Sequence, residues 1–153
     1  MAMTILRTAI ALFLGLLSTT AIAQRALVPI VDHKDISVAT SSGKPVTAEQ
    51  VRDTIVAAGK KLNWDMAFAA DGGLVGTLVV ANKHTISVDI GITAAKYSVK
   101  YRSSINMKYG TSGAPHYSRG NAPSTEGVPV IHPAYNQWVQ SLVTAIDAEL
   151  RKL

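Results

Sequence analysis

The chain has 153 residues, no cysteine and a formal net charge of +5 at neutral pH. Without cysteine it forms no disulfide and has no thiol nucleophile, cysteine-ligated zinc site or iron–sulfur cluster. Its lysines and arginines are dispersed along the chain, so the charge does not favour nucleic acid as a partner. The modest positive excess is consistent either with simple solubility or with attraction to an anionic surface.

The first 23 residues have the organisation of a secretory signal peptide. Arg7 precedes an apolar run over residues 9–17, and an Ala-Ile-Ala sequence ending at Ala23 has the small-x-small pattern that signal peptidase cleaves. The apolar run is shorter than the roughly 20 residues that span a bilayer. A buried first helix is the alternative interpretation, but the pattern favours cleavage after Ala23.

Cleavage at that position predicts a single domain over residues 24–153 in the periplasm or outside the cell. Gln24 follows the cleavage site, where a bacterial lipoprotein carries its cysteine. We therefore expect neither a lipid anchor nor a membrane span. The length is that of one ordinary domain. Because the chain has no cysteine, packing rather than disulfides must stabilise that domain.

A helix is predicted over residues 48–62. Thr47 and Gln50 have the spacing of a capping box, and Val46 and Val51 that of a hydrophobic staple. Apolar residues then recur at helical spacing and form one face: Val51, Ile55, Ala58 and Leu62.

The next segment predicts an antiparallel meander, because the apolar period changes from helical spacing to two. A strong hairpin signal at residues 71–73, Asp-Gly-Gly, separates the first two runs. Alternation predicts one apolar face and one polar face. Four strands are expected, at about residues 64–69, 74–81, 84–91 and 96–107. Short strands are also possible at 27–31 and 36–38, one of them pairing at a sheet edge.

Glycine and proline recur through residues 110–130, which predicts a flexible loop. Such a loop is either a functional flap or simply mobile, and mobility is the favoured interpretation. A second helix then opens near Pro133 and runs to about residue 150, with Trp138 and Leu142 expected in the core. The predicted fold class is therefore α+β: a two-layer sandwich in which one helix before the meander and one after it pack on a single face.

Three segments stand out in the second half of the chain. They are a tyrosine-rich strand, Tyr97-Ser98-Val99-Lys100-Tyr101-Arg102-Ser103-Ser104, then Met107-Lys108-Tyr109, and the opening of the last helix, Ile131-His132-Pro133-Ala134-Tyr135-Asn136-Gln137-Trp138-Val139. Together they resemble a family of small Gram-negative envelope proteins, many of them lipoproteins. The resemblance covers about residues 47–150. It implies an envelope location and an α+β fold but no activity. This chain departs from the pattern in lacking the lipoprotein cysteine and in its long 110–130 segment.

A polar group near the start of the last helix is a candidate ligand site. It consists of His132, Tyr135 and Asn136, which we expect to face Ser103 and Ser104. A hydrolase that uses His132 with either serine is the alternative, although no G-x-S-x-G motif surrounds the serines. The purely structural interpretation is that His132 caps the last helix by bonding the exposed amides of its first turn. No catalytic residue is assigned.

No metal site and no cofactor are predicted. Imidazole suits zinc and copper, but no two of the four histidines are close enough in sequence to form a short metal-binding motif. They are His33, His84, His116 and His132.

A basic strand surface is the second candidate site. Lys96, Lys100 and Arg102 alternate with apolar residues, so they should point away from the core, where Asp89 on the neighbouring strand could pair with some of them. The leading hypothesis is an exported, non-enzymatic envelope protein that binds an anionic envelope component or another periplasmic protein.

Overall fold

The computed structural model describes residues 26–112 and 127–153. The signal-peptide prediction for residues 1–23 therefore lies outside the described residues. In chain order the elements are β1 (Val28–Pro29), β2 (His33–Ser37), α1 (Ala48–Lys61), β3 (Asp65–Phe68), β4 (Leu74–Val80), β5 (His84–Ile92), β6 (Lys96–Ile105), β7 (Gly110–Ser112), β8 (Val128–Ile131) and α2 (Ala134–Leu150).

The main sheet has five antiparallel strands in the order β2-β6-β5-β4-β3. Strands β3 to β6 are the predicted meander, each paired with the next along the chain. The short strand β2 is added antiparallel to β6 at one edge, as the sequence allowed. The other edge of the sheet is β3.

The core lies between this sheet and the two helices, which contact each other. From the sheet, alternate residues of β4, β5 and β6 are buried, among them Leu74, Ile86 and Val99. From α1, the stripe residues Val51, Ile55 and Ala58 are buried, whereas Leu62 is only partly buried. From α2, the buried residues are Tyr135, Val139, Leu142, Val143, Ile146 and Leu150. The α+β class and the two-layer sandwich are thus confirmed.

Helix α1 begins as its sequence predicts. The Thr47 hydroxyl accepts a hydrogen bond from the Gln50 amide, and the Gln50 side chain accepts one from the Thr47 amide. The helix ends at Lys61, one residue earlier than expected, and Asn63 adopts a positive φ of 60° after the C-cap residue Leu62. Asparagine tolerates this left-handed conformation better than most residues.

Helix α2 corrects one core assignment. Leu142 is fully buried, as expected, whereas Trp138 is only partly buried and packs at the margin of the core. Trp138 sits beside the stripe of Tyr135, Val139 and Leu142, so its large ring reaches the rim, where it lies 6.5 Å from the His84 ring.

A second, three-stranded sheet corrects the predicted loop at both of its ends. Strands β1, β8 and β7 pair antiparallel in the order β1-β8-β7. The loop expected at 110–130 therefore begins and ends in strands, and residues 113–126 lie outside the described part of the chain. The glycine and proline content of this segment predicts turns rather than strands. Strands form nevertheless, because pairing with β1 and burial of Val130 and Ile131 outweigh that local preference.

Strand β6 contains an irregularity that changes which way its end faces. Val88 is opposite Tyr101 and Ser87 is opposite Ser103, so Arg102 is an extra residue in the ladder, a β-bulge. Beyond the bulge, Ser104 is opposite buried Ile86 and lies on the helix side of the sheet. Ser103 lies on the opposite side.

Candidate functional site

The polar residues that open α2 act on backbone groups nearby. His132 Nδ1 accepts a hydrogen bond from the Ala134 amide at 3.2 Å, which is the geometry of the capping interpretation. The Asn136 amide group bridges to the segment around β1: its Oδ1 accepts from the Val31 amide at 3.1 Å, and its Nδ2 donates to the Pro29 carbonyl at 2.9 Å. Both side chains therefore hold the start of α2 in place.

The two candidate serines are separated by the sheet. Ser103 is exposed on the side away from the helices, whereas the Ser104 hydroxyl lies 3.0 Å from the Tyr101 hydroxyl on the helix side. Within residues 26–112 and 127–153, no hydrogen bond joins His132 to either serine. The arrangement needed for a histidine-activated serine is therefore not formed there.

Tyr135 belongs to a tyrosine cluster beneath the end of β6. Its ring meets that of Tyr101 edge to face at 5.5 Å, and Tyr101 in turn stacks on Tyr109 at 4.9 Å. The Tyr135 side chain is fully buried, and its hydroxyl has no hydrogen-bond partner among the described residues. Burial raises the pKa of this hydroxyl, with smaller contributions from the nearby Asp32 carboxylate and Tyr101. The Tyr135 hydroxyl therefore stays protonated, and its ring packs in the core.

The side of the five-stranded sheet opposite the helices is named here the open face. Lys96, Lys100 and Arg102 are all exposed, on the face that their alternation predicts. Arg102 is neutralised, because its guanidinium lies 2.7 Å from the Asp89 carboxylate. In the described parts of the chain, no salt bridge engages Lys96 or Lys100.

The centre of the open face is polar, and one end of it is apolar. The Thr77 and Ser87 hydroxyls lie 3.1 Å apart on neighbouring strands, and Ser103 continues their row. At the end nearest the β4–β5 turn, Val79 and Ile105 are 54% and 61% exposed. Next to Lys100 the surface is polar and mixed in charge, because Asp89 is its cross-strand neighbour and Ser98 lies two residues away on the same face.

A pocket of about 240 Å³ lies at the other end of this face, and we call it the open-face pocket. Its polar lining comes from Asp71, Asp89, Ser98 and Lys100. Gly91 also lines it, and a Cβ atom at Gly91 would meet nothing within 4 Å, so this side is open because a side chain is missing.

A second glycine shapes the same pocket by letting the β3–β4 hairpin approach β5. A Cβ atom at Gly73 would lie only 2.6 Å from the Ile90 carbonyl oxygen, so only glycine fits at this position. The Asp71 carboxylate accepts a hydrogen bond from the Gly73 amide at 3.0 Å, which holds Asp71 at the hairpin tip. The sequence predicts only a turn at these residues. Gly91, a glycine inside the alternating strand β5, was the available signal for an opening in the surface.

The described residues contain no group of three or more histidine, aspartate or glutamate side chains that could hold a metal ion. No helix in the same residues is long and apolar enough to cross a membrane. Comparison of the sequence with protein-family models, curated proteins and solved structures finds no significant match.

Proposed function

We propose that this protein is an exported, non-enzymatic binding protein of the cell envelope that holds an anionic envelope polymer on its open face. The observation that carries the proposal is the asymmetry of the main sheet. Both helices cover one side, and the other side presents Lys96 and Lys100, which are exposed and which no salt bridge engages within the described residues. Binding is favoured over hydrolysis because His132 and Ser104 are each engaged with other groups.

The spacing of the two lysines suits a ligand with repeated negative charges. Lys96 and Lys100 lie four residues apart on β6, and Ser98 lies on the same face between them. At about 3.3 Å per residue this places their Cα atoms about 13 Å apart. Successive phosphate or carboxylate groups of a polymer could contact both ammonium groups at once, and each contact would weaken as salt screens it.

Co-sedimentation with purified cell wall tests this proposal. Binding should be strong at about 0.01 M salt and weak at about 0.15 M, because the Debye length falls from about 30 Å to about 8 Å. The double substitution Lys96→Gln and Lys100→Gln should abolish binding and leave the unfolding midpoint nearly unchanged, since exposed charges contribute only about 0–1 kcal/mol each.

The matched control removes the same charge elsewhere. Lys60 near the end of α1 and Lys108 after β6 are exposed and lie outside the open face. Lys60→Gln with Lys108→Gln should therefore retain binding. Equal loss in both double variants would show only a net-charge effect, and binding to anionic vesicles but not to cell wall would replace the polymer with a lipid surface. Either result overturns the proposal.

The export part of the proposal is tested separately by mass spectrometry of the protein made in a Gram-negative host. The expected product is a periplasmic or secreted chain that begins at Gln24. A full-length chain that stays inside the cell would contradict export, whatever the binding assay shows.

A further inference from the structure

The open-face pocket is lined by both positively and negatively charged groups. Lys100 supplies an ammonium group and Asp71 a carboxylate, and no salt bridge engages either of them within the described residues. The third charged group, Asp89, is largely compensated by Arg102 at 2.7 Å. A ligand that fits must therefore satisfy a positive and a negative group together.

We propose that this pocket binds a small zwitterion, a free amino acid. The ligand carboxylate contacts Lys100, and the ligand ammonium contacts Asp71. A purely anionic ligand would meet the Asp71 carboxylate, and a purely cationic ligand would meet Lys100, so each would be repelled by one side of the pocket. A zwitterion makes a charge-assisted hydrogen bond at both ends.

The remaining groups of the pocket fit this assignment. The Ser98 hydroxyl oxygen accepts a hydrogen bond from the Asp35 amide at 2.9 Å, so its own hydrogen remains free to donate to a carboxylate. The free oxygen of Asp71 can accept from an ammonium, since the other oxygen accepts from the Gly73 amide. A volume of about 240 Å³ is smaller than the pockets that take drug-sized ligands, at roughly 300–1,000 Å³, and suits a molecule of amino-acid size.

Titration of the isotope-labelled protein with alanine, followed by NMR, tests the proposal. Alanine should shift the amide resonances around residues 69–74 and 89–91, whereas acetate and methylammonium should bind much more weakly. Asp71→Asn and Lys100→Gln should each weaken alanine binding about tenfold, the loss expected for one charge-assisted hydrogen bond. Asparagine at position 71 can still accept from the Gly73 amide, so the turn is preserved.

Gly91→Phe should block the pocket outright, because its side chain would enter the open space there. Val79→Phe is the matched control: it places the same ring on the same face, near the opposite end of the sheet. Circular dichroism checks that both variants fold. Acetate binding as tight as alanine binding, binding that survives Gly91→Phe, or no shift with alanine would each overturn the proposal.

Lys100 also takes part in the proposed polymer binding, so two variants separate the two proposals. Lys96→Gln should weaken cell-wall binding and leave alanine binding unchanged. Asp71→Asn should weaken alanine binding and leave cell-wall binding intact. Failure of one proposal is therefore visible without failure of the other.

Discussion

The buried tyrosines Tyr97 and Tyr135 differ in what surrounds their hydroxyl groups. The Tyr97 hydroxyl donates to the Asp147 carboxylate at 2.7 Å, whereas the Tyr135 hydroxyl has no partner among the described residues. Burial raises the pKa of both hydroxyls, and the hydrogen bond to Asp147 adds to the shift at Tyr97. Both groups stay protonated, but only that of Tyr97 has its desolvation offset by a hydrogen bond.

Removing each hydroxyl should therefore have different effects on stability. Tyr97→Phe should lower the free energy of unfolding by about 1–2 kcal/mol, because a hydrogen bond to a charged group is lost. Tyr135→Phe should leave it unchanged or raise it by up to about 1 kcal/mol, because an unpaired buried polar group is removed. Urea unfolding measures both. A loss above about 1 kcal/mol in Tyr135→Phe would show that its hydroxyl is paired.

At the scale of the elements, local sequence places each helix, and tertiary burial decides how much each of its side chains contributes to stability. The capping box fixes where α1 begins. The stripe of α2 buries Leu142 completely but leaves Trp138 at the margin. The loss of unfolding free energy on truncation to alanine should therefore follow how deeply each side chain is buried rather than how large it is.

Truncations in α2 test that order. Leu142→Ala should cost about 2–5 kcal/mol, the range for a buried leucine. Trp138→Ala should cost less than the roughly 3–5 kcal/mol of a fully buried aromatic, at about 1–2 kcal/mol. Denaturant melts of both variants give the comparison. A larger loss for Trp138→Ala than for Leu142→Ala would place the ring in the core, contrary to the structure.

The capping box of α1 is tested by a pair of threonines on the same helix. Thr47→Ala should cost about 1 kcal/mol, because the Gln50 amide loses its side-chain acceptor. Thr54 instead donates to the Gln50 carbonyl one turn back. Thr54→Ala should be neutral or slightly stabilising, since alanine is the better helix former. Thermal melts of equal midpoint for the two variants would contradict the capping role.

At the scale of the whole molecule, a charged cluster joins the two helices. Glu149 of α2 lies 2.7 Å from the Lys61 ammonium of α1 and 2.6 Å from that of Lys152. Hydrogen bonds from Lys152 and Lys61 hold the pKa of the Glu149 carboxyl below its ordinary value. The folded state therefore favours the ionised form more than the unfolded chain does.

This linkage gives a defined pH dependence. Because the pKa is lower in the folded state, the contribution of Glu149 to stability is present at neutral pH and is lost as the pH falls through the folded pKa. The difference in urea midpoint between the native protein and Glu149→Gln should be largest at neutral pH and should shrink as the pH falls through the folded pKa of Glu149. Lys61→Gln should reduce it. A difference that grows on acidification would refute this linkage.

The sequence by itself determined the elements whose signals are local. Thr47 and Gln50 mark a helix start because a side chain reaches an amide three residues away, and the Asp-Gly-Gly turn at 71–73 specifies the hairpin by its backbone conformation. Alternation along β6 also placed Lys96 and Lys100 on the open face. These features depend on neighbours within a few residues.

The tertiary structure alone decided the features that join distant parts of the chain. Asn136 contacts backbone groups 105 and 107 residues away, and β1 pairs with β8 across nearly the whole chain. The open-face pocket likewise combines the hairpin tip at Gly73 with Gly91 and Lys100 on two other strands. Such contacts depend on sheet order, bulges and close backbone approach. Periodicity cannot encode them, because it specifies only which face a residue occupies.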